Sequence, residues 1–340
     1  MMTRSVSDVV FVLSIVLGGL FLGACDGQDT SSSQSEPSRS VDRRVEASLR
    51  DHVQGLQDDM PREGTEGFAV PTDDDLANWR MVVGRLVDGD TSGARSLISE
   101  HASSYELVEL RDPATEQSYV LLQEGPSVAR GWGAVVLNPN ADRNVFIEVP
   151  HPVFDLETHV QGAELFRDID ARALIMAGTH RCANEGNSHC DGRTGVCGAS
   201  GPFKESDDAH VEASPFQVTH EVLTDRFPAA VVFSLHGNGR EPCETVFLSS
   251  GVEDDTPPSV ATLHRALEER GVSAGTPETS SCPLIGSTNV QGRHTNGSSN
   301  PCTEAASTAS GRFIHVEQKL DFRRSEDKYQ HLIEAIKETL

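Results

Sequence analysis

From His151 to the C-terminus, short apolar runs alternate with stretches of helical period, a pattern few architectures accommodate. Strands are predicted at Ala173, Ala230, Thr245 and Phe313. Helices are predicted near Glu157 to Phe166, Pro215 to Phe227, Ser259 to Arg270 and Glu326 to Thr339. Strands separated by helices pair in parallel, because a helical crossover returns the chain to the same end of the sheet. Upstream, Tyr105 to Leu110, Tyr119 to Gln123, Gly133 to Leu137 and Val145 to Val149 read as strands. The Asp112-Pro-Ala-Thr turn joins the first two as a hairpin. Ahead of these, Leu76, Trp79, Val82, Val83 and Leu86 mark a helix over Asp73 to Leu86, and Thr91 caps a second reaching about His101. The expectation is one α/β domain over 68–340, with a mixed, mainly parallel central sheet flanked by helices. Residues 68–150 supply the first helices and antiparallel edge strands, and 151–340 the core. No internal repeat or second linker divides it.

The N-terminus sets the compartment. Arg4, the apolar stretch Val9 to Leu22 and the small residues before Cys25 resemble a bacterial lipoprotein signal. The resemblance implies that residues 1–24 are cleaved and that Cys25 carries lipid, placing the folded domain in the cell envelope, outside the cytoplasm and attached to a membrane. The other reading, an uncleaved anchor, has the same topology, although the stretch is short for a spanning helix. Residues 25–67 are rich in Ser, Gln, Asp and Glu and are predicted to be a disordered tether, since they bury too little apolar surface to offset chain ordering. Within them, Val41, Val45 and Leu49 have helix-like spacing inside a solvated linker.

Six further cysteines, at 182, 190, 197, 243, 282 and 302, form an even set in an exported domain and point to disulfides. Spacing does not choose among the pairings. Cys190 with Cys197, Cys282 with Cys302 and Cys182 with Cys243 are the expectation. The rival, a metal cluster of Cys182, Cys190, Cys197 and His189, lacks the paired knuckles of structural zinc sites. A formal net charge of −24 excludes nucleic acid as a partner and requires a local basic pocket for any anionic substrate.

Four apolar runs end on side chains that bind metals or move protons: His151, His180, His236 and Glu317. Open α/β sheets place their ligands beyond the carboxyl ends of the strands, so these residues are candidates for one site. Serine hydrolase, nucleotide and zincin motifs are missing: there is no Gly-x-Ser-x-Gly, no phosphate loop and no His-Glu-x-x-His. A catalytic metal ion commonly takes three protein ligands from His and carboxylate and leaves one position open. His151, with Asp155 at +4 or Glu157 at +6, and His236 in Ser234-Leu-His-Gly can supply them. Glu317 follows Phe313-Ile-His-Val, where alternation puts Phe313, His315 and Glu317 on one face. Partial desolvation would tune it toward a general base. Arg293, with His294 beside it in the Gly/Asn-rich loop Gly292 to Gly297, is a candidate to capture a substrate carboxylate or to stabilise an oxyanion, and His180 is in support. His210, His220, His101 and His52 read as structural or surface residues.

Pro150-His151 with its nearby acids, Ala177-Gly-Thr-His-Arg181-x-x-Asn184, Ser234-Leu-His236-Gly and Phe313-Ile-His-Val-Glu317 resemble the N-formylglutamate amidohydrolase-like and zinc carboxypeptidase-like superfamily, which includes poly-gamma-glutamate hydrolase-like proteins. The resemblance covers roughly His151 to Leu340. It implies one zinc on His151, His236 and an acid, Glu317 as the residue that activates water, Arg181 with Asn184 in a substrate-binding segment, and an amide substrate such as a small peptide, a gamma-glutamyl compound or an acyl-amino acid. The carboxypeptidase spacing His-x-x-Glu is absent, with Phe154 at +3, so Asp155 and Glu157 both stay open as the third ligand. A binding lipoprotein that keeps the fold without turnover is the alternative.

Overall fold

The computed structural model describes residues 40–340, which belong to one compact unit. The signal segment, Cys25 and the first part of the expected tether lie outside the described residues. The chain runs β1 (Arg43–Glu46), α1 (Leu49–Asp58), α2 (Asp73–Val87), α3 (Thr91–His101), β2 (Tyr105–Arg111), β3 (Ser118–Glu124), β4 (Ala134–Leu137), β5 (Arg143–Val149), α4 (Thr158–Asp168) and β6 (Ala171–Met176). After a long excursion with one 3₁₀ turn come α5 (Pro215–Arg226), β7 (Val231–Asn238), β8 (Val246–Ser249), α6 (Pro258–Glu269), β9 (Ala274–Gly275), α7 (Val290–Thr295), β10 (Phe313–Lys319), α8 (Leu320–Arg323) and α9 (Glu326–Thr339).

The ten strands of the described residues join one mixed sheet in the order β1-β2-β3-β4-β6-β5-β7-β10-β8-β9. β6, β5, β7 and β10 form its parallel centre. The β2–β3 hairpin turns at Asp112, and β3 and β4 continue antiparallel into β6. Alternation along the central strands builds a core on each face of the sheet. Val145, Ile147, Leu174, Phe233 and Ile314 pack with Leu49, Phe166, Leu263 and Leu332. On the other face Phe146, Ile175, Val232 and Phe313 pack with Trp79, Val83, Phe216 and Leu223. The expected mixed, mainly parallel α/β architecture is the one observed.

Ordered structure begins before residue 68. β1 adds to β2 in parallel, with Arg43 reaching Glu106 at 2.6 Å and, from the other face, Arg44 reaching Glu109 at 2.7 Å. α1 starts at Ser48, whose hydroxyl accepts from the Asp51 N–H, and buries Leu49 and Val53 completely. An edge strand needs little apolar surface because the ladder supplies its backbone hydrogen bonds, and one short apolar stripe then suffices to seat the helix. Two caps also differ from expectation. Asp90 rather than Thr91 caps α3, accepting from the Gly93 N–H, and Asn289 caps α7, a helix that the sequence pattern did not mark.

The cysteines pair as disulfides, but as Cys182–Cys197, Cys190–Cys302 and Cys243–Cys282, which corrects all three expected partners. The segment after β6 folds back on itself through the bridges Asn187↔Lys204 and Thr194↔Gly201. This carries Cys197 back to Cys182 and leaves Cys190 facing the loop before β10. No helix among the described residues is long and apolar enough to cross a membrane.

Candidate metal centre

His151 leaves the end of β5 between Pro150 and Pro152. The turn that follows returns the Phe154 and Asp155 N–H groups to the His151 carbonyl at 3.1 and 2.7 Å. That one-turn return brings Asp155 Oδ2 within 3.1 Å of His151 Nδ1. On the neighbouring strand β7, Ser234 and His236 alternate onto the same face, with Ser234 Oγ 3.1 Å from His236 Nε2. His236 Nδ1 then lies 3.7 Å from the same Asp155 oxygen. Parallel register with β10 sets His315 beside Ser234 and Glu317 beside His236.

Two imidazoles thus turn Nδ1 toward one carboxylate oxygen, and all three residues are buried. The far nitrogen of His151 is fixed from behind: Nε2 lies 2.8 Å from Asp207 Oδ1, while Asp207 Oδ2 accepts from Arg181 Nε at 3.0 Å and Nη2 at 2.6 Å. An ionised Asp207 can only accept, so it places the ring hydrogen on Nε2 and leaves the Nδ1 lone pair free for an ion, the arrangement by which carboxylates orient metal-binding histidines. Burial opposes charge on Asp207, but Arg181, His210 and His151 outweigh it and hold the carboxyl well below the usual range. For His151, burial and the Arg181 charge pull downward, and Asp207 and Asp155 prevail, raising it. His236 is held well below the ordinary histidine value by burial, with His315 and His151 adding.

Adjacent donors around a small tetrahedral ion with ligands at about 2.0–2.2 Å lie roughly 3.3–3.6 Å apart, which the 3.1 and 3.7 Å separations bracket. His151, Asp155 and His236 therefore fit a metal ion. A second donor group, His236, His315 and Glu317, shares His236 with the first. Glu317 Oε2 is buried without a hydrogen-bond partner among the described residues. Burial, with the Asp155 charge adding, pushes this carboxyl up to about 8. His151, His236, His315, Glu317 and Arg181 all line a cleft of ≈ 720 Å³ whose opposite wall is the disulfide-tied segment around Arg193 to Val196.

The other candidates separate. Glu157 stands half-buried at the start of α4 and belongs to neither donor group. Arg293 is buried but does not line the cleft: it binds Asp191 at 2.5 Å and the Ser287, Pro301 and Cys302 carbonyls. His294 packs edge-on to His220. Asn184 holds the Phe68 backbone through both ends of its amide, and His180 Nδ1 accepts from the Cys182 N–H. Asp207 had gone unread, because no motif marks it and it reaches His151 from a loop 56 residues downstream. His315 had been placed on the Glu317 face without a role. The glycine of Ser234-Leu-His236-Gly237 also gains a specific reason: a Cβ there would come within 2.2 Å of the Arg323 guanidinium, which donates to the Gln318 and Leu156 carbonyls behind the site.

No protein-family model matches the chain, and no curated protein matches it. Among solved structures it is similar to N-formylglutamate amidohydrolase from Ralstonia eutropha JMP134, at 14% identity and TM-score 0.34, covering 60% of this chain and 94% of that one. Succinylglutamate desuccinylase from Vibrio cholerae matches at 13% identity and TM-score 0.31, over 68% of this chain and 64% of that one. A metallo-carboxypeptidase from Burkholderia cenocepacia matches at 10% and 0.28, over 74% and 67%. Likenesses this slight carry no chemistry across, and the site has to be read from its own donors.

Proposed function

We propose that the protein is a zinc-dependent hydrolase of amide bonds, held at the cell envelope by a lipidated Cys25. The observation that carries the reading is the convergence of His151 Nδ1 and His236 Nδ1 on the buried Asp155 Oδ2, at a cleft that His151, His236 and Glu317, with its unpartnered oxygen, all line. Nitrogen and carboxylate donors in this number suit zinc with a position left over. A bound zinc supplies Lewis acidity, lowering the pKa of water and polarising a carbonyl.

The residues of the chain do the rest. Asp207, clamped by Arg181, holds the His151 ring and its tautomer, and Ser234 steadies His236. Glu317 Oε2 accepts the proton of the attacking water and passes it to the leaving nitrogen. Two donors of Arg181 are committed to Asp207, and its remaining N–H groups border the cleft where an oxyanion would develop. Arg293 has no part in this reading. The substrate is a small peptide or an acyl-amino acid.

Glu317→Gln should abolish hydrolysis of such amides while zinc content, read by elemental analysis, stays unchanged; retained turnover would remove Glu317 from the chemistry. The three disulfides support an exported domain, since such bonds persist in oxidising compartments. Cys25→Ser should move the protein from the membrane to the soluble fraction on cell fractionation, and unchanged partition would contradict the lipid anchor.

A further inference from the structure

We propose a second divalent-cation position, beside the first, formed by His315 Nε2 and Glu317. The hydrogen bonds around His315 indicate which nitrogen is bare. Ser249 donates its hydroxyl hydrogen to the Ile285 carbonyl at 2.6 Å. Toward His315 Nδ1, 3.5 Å away, the Ser249 oxygen is left only as an acceptor. With the ring hydrogen on Nδ1, the tautomer this acceptor favours, Nε2 presents a lone pair.

That lone pair faces Glu317 Oε1 at 3.6 Å, too far for a hydrogen bond, and the other Glu317 oxygen has no partner. An ionised Glu317 sets acceptors against one another in this buried site, and a cation between them would satisfy both. The 3.6 Å separation is close to that of adjacent donors on a tetrahedral zinc, roughly 3.3–3.6 Å. His315 and Glu317 alternate on β10, so strand geometry delivers both to one face.

The ring cannot turn away. Gly286, at φ +72°, lies against it so closely that a Cβ would come within 3.0 Å of His315 Cδ2 and 3.1 Å of Nε2. On its other side the His236 ring stands at 4.4 Å between centroids. Imidazole and carboxylate donors favour zinc or a similar transition ion over calcium or magnesium.

His236 gives Nδ1 to the first position, so the second rests on two protein donors and solvent and binds more weakly. Where Glu317 is the base, a reading this consequence rests on, filling the second position withdraws it from catalysis.

Calorimetric titration of metal-free protein with zinc tests the site. Wild type should show a tight and a weak class; His315→Ala should keep the tight class and lose the weak one, and His151→Ala should do the reverse. A weak class that survives His315→Ala, or a single class untouched by it, overturns the proposal. Absence of the tight class from wild type would instead sink the hydrolase reading, while loss of the remaining class in His315→Ala would still uphold the second position. Should the variant not fold, wild-type crystals in excess zinc decide: an anomalous peak about 2.0–2.2 Å from His315 Nε2 supports the site, and none there overturns it.

Discussion

Asp207 and Asp208 are neighbours in the chain with opposite electrostatic fates. Asp207 is held ionised by Arg181, whereas for Asp208 the Ser214 side chain and the His151 charge do too little to offset burial. Burial, with the Asp207 charge adding, pushes Asp208 up to about 7. Its unfolded value is about 3.9, so between these two values the folded state keeps a proton that the unfolded chain has released. Stability therefore falls as pH rises through that window and levels off above it. Asp208→Asn should remove this loss, so denaturant midpoints of variant and wild type should diverge between about pH 4 and pH 7 in the variant's favour, by on the order of a few kcal/mol at most, and run parallel above it. Parallel midpoints within that window would mean that Asp208 is ionised in the folded state. At this scale His151, His236 and Glu317 were legible because each ends an apolar run. Asp207 was not, since an orienting carboxylate needs only proximity in space. The partners of Arg293 were equally illegible: its guanidinium, in a polar segment, is taken up by Asp191 and backbone carbonyls that meet it only in space.

Elements were legible where their period was long and regular. The strands from β2 to β7 and the helices α2, α4, α5, α6 and α9 lie where alternation and helical spacing put them. β1 and α1 escaped because their local composition is polar and they are stabilised by a strand edge formed sixty residues later. The segment between β6 and α5 has almost no regular structure, and its shape comes from covalent ties that spacing cannot foresee. Cys190–Cys302 joins positions 112 residues apart and fastens that segment, a wall of the cleft, to the loop before β10. Closing so long a loop restricts the unfolded chain, with a typical worth of 2–5 kcal/mol. The Cys190→Ala/Cys302→Ala double variant should lose about that much in equilibrium denaturation, and peptide mapping without reductant should recover the 190–302 pair from wild type. Full stability in the double variant would contradict this tie.

For the whole molecule, the parallel centre of the sheet explains why the site is where it is. β5, β7 and β10 are adjacent and point the same way, so their carboxyl ends bring residues 151, 236 and 317 together from distant parts of the chain. The sequence pattern could foretell that convergence without knowing strand order, because parallel strands finish on one side of a sheet. It could not rank Asp155 against Glu157, which differ by two residues in a turn: one carboxylate swings under His151 and the other stays at the head of α4. That distinction is the most exposed part of the account. Zinc affinity by chelator competition, in wild type, Asp155→Ala and Glu157→Ala, measures it directly. Asp155→Ala should lose roughly 100-fold or more in affinity and Glu157→Ala should bind as wild type does; equal affinities in all three, or the larger loss on removing Glu157, would rule out Asp155 as the third ligand.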